Sequence, residues 1–87
     1  MKVVFHKNFK RQFKKLRKSQ QNKFKEQLAV FIENPFNPVL NNHPLQGKCE
    51  GLRSINVGGG LRAIYEMAEK EIAYFIAVDT HSKLYSS

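Results

Sequence analysis

Apolar residues recur along the first third of the chain at helical spacing. Phe9, Phe13 and Leu16 stand at i, i+4 and i+7, and Phe24, Leu28, Phe31 and Ile32 form a second set. Such spacing predicts an apolar stripe along a helical face in each segment. Asn8 is suited to cap the first by accepting a backbone N–H. Periodicity alone admits one long helix, because Leu16 and Phe24 are close to helical phase. The polar stretch Ser19-Gln20-Gln21-Asn22 breaks the stripe, Ser19 is a suitable second cap, and a helical hairpin is favoured. Asn34-Pro35-Phe36-Asn37-Pro38 then ends the helical region, since proline disfavours helix at itself and just before.

Elsewhere the pattern is that of strands. Lys2 to His6 is short and β-branched, and predicts a strand that joins a later sheet. Leu52 to Val57 and Leu61 to Met67 flank Gly58-Gly59-Gly60, a hairpin signal, because tight turns need positive φ. A third run, rich in Ile, Val, Tyr and Phe, follows the connection Ala68-Glu69-Lys70-Glu71 and extends to about Asp79. Val39 to Lys48 is expected as a loop. The order strand, helix, helix, meander predicts an α+β fold: an N-terminal strand and a helical hairpin packed on a mainly antiparallel sheet of about four strands. The sheet face away from the helices is expected to be open and to carry a site.

At 87 residues the chain is expected to be a single domain spanning 1–87. Charge adds a partner to this picture. The chain carries 15 Lys and Arg against 7 Asp and Glu, a net +8, and every residue before Glu26 that is charged is basic. The exposed positions of the first helix and its junction, Lys10, Arg11, Lys14, Lys15, Arg17 and Lys18, therefore predict attraction to a polyanion such as nucleic acid. Cys49 is alone, so no internal disulfide forms. His6, His43, His81 and Cys49 lack paired ligand spacing, so neither metal nor cofactor is expected. The N-terminus lacks the apolar core of a signal peptide, and no apolar run approaches the ~20 residues that span a bilayer. A soluble, cytoplasmic protein is the expectation.

Candidate chemistry is confined to basic and aromatic groups: Arg62, His81, Tyr85, His43 and Arg53. RNA cleavage needs little more, because the ribose 2′-OH is itself the nucleophile. Histidine moves protons near neutral pH, arginine holds a phosphate through parallel hydrogen bonds, and an aromatic ring stacks on a base.

The segments His43-Pro44-Leu45-Gln46-Gly47, Gly51 to Val57, Leu61 to Tyr65 and Thr80 to Tyr85, in this order and spacing, resemble toxins of the RelE/ParE superfamily of bacterial toxin–antitoxin modules. The first and last are most similar to the YafQ-like branch of ribosome-dependent mRNA interferases. The resemblance implies cleavage of mRNA in the ribosomal A site and neutralisation by a cognate antitoxin protein. It implies His81 as the proton-transfer residue, Arg62 as the phosphate-stabilising one, Tyr85 as the terminal aromatic against the substrate nucleotide, and His43 as a further site histidine. Ribosomal RNA would be held by the basic helices. Three positions depart from the YafQ-like pattern: Asn56 stands near a further histidine, Gly60 near an acidic residue, and Ala77 in place of an arginine. These departures make a catalytically weakened relative that only binds antitoxin or RNA one competing function; a ParE-like inhibitor of DNA gyrase is the other.

Overall fold

A computed structural model describes residues 1–47 and 50–80. Along the chain run β1 (Lys2–Phe5), α1 (Lys7–Lys14), α2 (Lys18–Glu33), a 3-10 turn (Pro38–Leu40), β2 (His43–Pro44), β3 (Arg53–Gly58), β4 (Leu61–Glu69) and β5 (Ile72–Thr80). They form one five-stranded sheet in the order β1-β5-β4-β3-β2. β1 pairs parallel with β5, and the other three pairings are antiparallel. The α+β architecture of strand, helical hairpin and meander is thus present. The expected four strands become five, because the loop before Lys48 contributes β2 at the sheet edge.

The helix boundaries differ from those expected. α1 begins at Lys7, capped by His6, whose Nδ1 accepts from the Asn8 N–H at 2.9 Å. Asn8 lies inside the first turn instead, and its amide donates to the Ile76 carbonyl at 2.9 Å. The break between the helices falls at 15–17, ahead of the Ser19–Asn22 stretch. Two glutamines of that stretch explain the shift. Gln20 Oε1 accepts from the Arg17 N–H at 3.0 Å, and Gln21 Nε2 donates to the carbonyls of Phe13 and Leu16 at 3.0 and 3.2 Å. Their side chains satisfy backbone groups that helix ends leave open, so both residues belong to α2.

β1 stops at Phe5, which would leave the outer edge of β5 bare beyond its partner Phe75. α1 covers that edge with side-chain amides: Asn8 donates to Ile76, and Gln12 Oε1 accepts from the Val78 N–H at 2.8 Å. Ile76 is an extra residue on β5, since Tyr65 faces Phe75 while Ile64 faces Ala77. Phe75 and Val78 are three apart and would lie on opposite faces of a regular strand; the bulge lets both enter the core.

That core is aromatic. The Phe75 ring lies 5.3–6.0 Å from those of Phe5, Phe9, Phe24, Phe31 and Tyr65. Ile55, Val57, Leu61 and Ala63 complete the sheet's contribution. The stripe expected on α2 is corrected at one position: Ile32 is 45% exposed, and Gln27 is buried instead. Gln27 Nε2 donates to the Asn56 carbonyl at 2.9 Å, a group left open by the bulge between Asn56 and Gly58. Gln27→Ala removes the partner of this half-buried acceptor and should cost about 1 kcal/mol in urea-melt stability. Among the described residues, no helix is long and apolar enough to cross a membrane.

Candidate functional site

Residues paired across adjacent strands share a sheet face, and the face away from the helices carries two such rows. His43 of β2, Ser54 of β3, Ile64 of β4 and Ala77 of β5 form one; Asn56, Arg62 and Asp79 form the next. This face is less open than the sequence suggests: Ser54 and Ile64 in its middle are buried. Among the described residues the Ser54 Oγ has no hydrogen-bond partner. The candidate side chains His43, Asn56, Arg62 and Asp79 lie half-buried on the rim around this middle.

Arg62 enters this rim from the start of β4, just after the glycine turn. Gly58 and Gly60 have φ values of +135° and +84°, a backbone that side-chain-bearing residues rarely adopt. Gly60 therefore has a structural reason to stand where the resemblance expects an acid. The Arg62 Nη1 donates to Asn56 Oδ1 at 2.7 Å and to the Leu61 carbonyl at 3.3 Å. Asn56 is thus the group that aims the guanidinium, a role its reading as a missing histidine did not suggest. The hairpin held the signal, since Asn56 and Arg62 flank its turn as a cross-strand pair. Asp79 faces Arg62 in register, and its carboxylate accepts from the Thr80 N–H at 2.8 Å.

His43 sits two strands away. Its Nδ1 lies 2.7 Å from the Asn41 carbonyl, which can only accept. The neutral ring therefore carries its proton on Nδ1 and leaves the Nε2 lone pair available to take another. Two strand spacings and two residues separate His43 from Arg62, roughly 12 Å between Cα atoms. Two such side chains can reach a common phosphodiester across that gap.

The remaining candidates are dispersed. Arg53 leaves β3 on the other side: its Nε donates to Asn42 Oδ1 at 2.8 Å, and its Cζ sits 5.2 Å from the Phe36 ring centroid. The six basic residues of α1, the junction and the first position of α2 are exposed but do not share one face. Lys10 and Lys14 rim an apolar groove between the helices. Arg11 and Lys15 line a polar depression with Asp79 and Thr80, and Arg17 borders another beside Gly58 and Gly59. His81 and Tyr85 lie outside the described residues, as does Cys49. Among the described residues, no three His, Cys, Asp or Glu side chains gather as a metal site.

A helical hairpin on a mixed sheet, with an arginine and a histidine on the far sheet face, defines a RelE/ParE-like toxin fold. The chain belongs to the YafQ family, bacterial toxins of type II toxin–antitoxin systems, whose family model matches residues 1–86. It is similar to YafQ from Escherichia coli strain BL21(DE3), at 25% identity over 97% of both chains and a TM-score of 0.80. The toxin of the E. coli DinJ–YafQ toxin–antitoxin complex is also 25% identical, covering 97% of this chain and 96% of that one, with a TM-score of 0.77. A YoeB/ParE toxin from Agrobacterium tumefaciens shares the fold at 18% identity, 93% and 99% coverage and a TM-score of 0.77. No curated protein sequence matches the chain.

Proposed function

We propose that this toxin is a ribosome-dependent endoribonuclease that cuts mRNA in the A site and is silenced by a cognate antitoxin. What carries the reading is one juxtaposition: Arg62, held by Asn56, shares a sheet face with His43, whose Nδ1 meets the Asn41 carbonyl and so makes Nε2 the accepting nitrogen of the neutral ring. In the proposed reaction the 2′-oxygen attacks the adjacent phosphorus and its proton passes to His43 Nε2. Arg62 holds the non-bridging oxygens as negative charge builds on them. The bond from phosphorus to the 5′-oxygen breaks, and His81, which follows β5 in the chain, returns a proton to that leaving oxygen. The products are a 2′,3′-cyclic phosphate and a 5′-hydroxyl. Tyr85 stacks on the substrate nucleotide, and Lys10, Arg11, Lys14, Lys15, Arg17 and Lys18 hold ribosomal RNA through its phosphates. The antitoxin is expected to lay an acidic amphipathic segment over this basic surface, covering Arg62 and His81.

Gyrase inhibition is separated from RNA cutting by an extract programmed with purified mRNA and free of DNA. The parent protein should stop translation there, and His81→Ala should not. Undiminished translation at saturating parent protein would rule out the reading. Ribosome binding adds a second expectation. Lys10→Ala with Lys15→Ala should flatten the slope of log affinity against log salt by about 1.5, since each lost phosphate contact removes about 0.7–0.9.

A further inference from the structure

Phe36 is the most exposed large apolar residue described, at 63%, yet the turn that carries it is tightly tied. Asn34 Oδ1 accepts from the Phe36 N–H at 3.1 Å, and Asn37 Oδ1 from the Val39 N–H at 3.0 Å. Asn42 Nδ2 donates to the Pro35 carbonyl at 2.8 Å and to the Tyr65 hydroxyl, deep in the core, at 2.7 Å. The same Asn42 accepts from Arg53 Nε, which lays the guanidinium against the Phe36 ring. An isolated exposed phenylalanine would call for no explanation. Here three asparagines fix the turn that holds an aromatic ring in water, with a cation stacked on it. Among the described residues the two Nη nitrogens of Arg53 have no partner.

We infer that Phe36 and Arg53 form a platform for an unpaired nucleotide of RNA, the base stacking on Phe36 and a phosphate pairing with Arg53. This rests on the RNA-cutting reading above and extends it to a second contact point. Arg53 covers one face of the ring, and the ring's exposure leaves the other to a base, a sequence-tolerant contact. The planar fork of Arg53, already turned by Asn42, presents its remaining N–H groups to a phosphate. The asparagines and the Arg53 charge beside the ring favour a phosphodiester chain over a purely apolar protein surface. Position supports the same occupant. Asn42 and His43 are consecutive, so platform and candidate base lie on either side of one edge strand. A single strand leaving His43 need only cross that edge to reach Phe36.

The probe is a 2′-O-methylated decaribonucleotide of adenine and uracil carrying one 2-aminopurine, which can be bound but not cut. At low salt the parent should bind it and quench the 2-aminopurine by stacking. Phe36→Ala should lose the quenching and weaken binding about tenfold, with an unchanged melting temperature because the ring is exposed. Phe36→Trp should restore both, and Arg53→Lys should weaken binding while keeping the charge. Quenching and affinity in Phe36→Ala equal to the parent's would overturn the inference, and a protein-docking role for Phe36 and exposed Val39 would be the reading left. Cleavage by the parent in a translation reaction is scored separately. A parent that binds through Phe36 but cuts nothing would retain the platform and remove the cutting step.

Discussion

Arg62→Ala will lower mRNA cleavage by two orders of magnitude or more while leaving the fold intact. The half-buried guanidinium sits on the sheet rim and contributes nothing to the aromatic core, so its loss should barely move the thermal midpoint. Its expected work is in the transition state, where negative charge collects on the phosphate. Removing one preorganised donor of this kind typically costs about 10²–10³ in rate. Arg62→Lys keeps the charge but loses the fork and the aim given by Asn56, and should recover only part of the activity. Asn56→Ala leaves the arginine in place but untethered, and a loss of roughly tenfold is expected, less than from Arg62→Ala. Single-turnover cleavage on stalled ribosomes reads all three.

Phe75→Ala should remove a large share of the protein's stability. Its ring meets five others, from both helices, β1 and β4, so its removal opens a cavity that no single neighbour can fill. Large aromatic truncations in cores cost about 3–5 kcal/mol. A chain of this length has a total stability of only about 4–13 kcal/mol. With a urea slope near 1 kcal/mol/M, the midpoint should fall by about 3–5 M. Phe13→Ala, at the partly buried rim of the same cluster, should cost markedly less.

The meander was legible because β-branched and aromatic residues alternate on either side of a triple-glycine turn. The same hairpin makes Asn56 and Arg62 cross-strand partners, although in the sequence Asn56 stood out only as a departure from a histidine. The two-residue β2 was not legible: His43-Pro44 is too short for a period, and proline is tolerated only because the strand lies at the edge. The helix joint shifted because Gln20 and Gln21 satisfy backbone groups through space, which a local polar count reads as a break. The bulge at Ile76 was not legible because one inserted residue leaves no mark in an apolar run. Gln27 and Phe36 each defied their type, a buried amide and an exposed ring, for reasons that lie in distant carbonyls and asparagines. Arg53, Arg62 and His43 were all picked out as residue types that hold phosphates or move protons. Only their placement separates the last two, on one face, from the first.

The central claim is most directly tested by primer extension on an mRNA in a reconstituted translation reaction, with the parent, Arg62→Ala and His81→Ala side by side. Discrete cuts from the parent, absent without ribosomes and absent from both variants, are the expected result. An uncut message at saturating parent protein, or cuts that survive both substitutions, would contradict it.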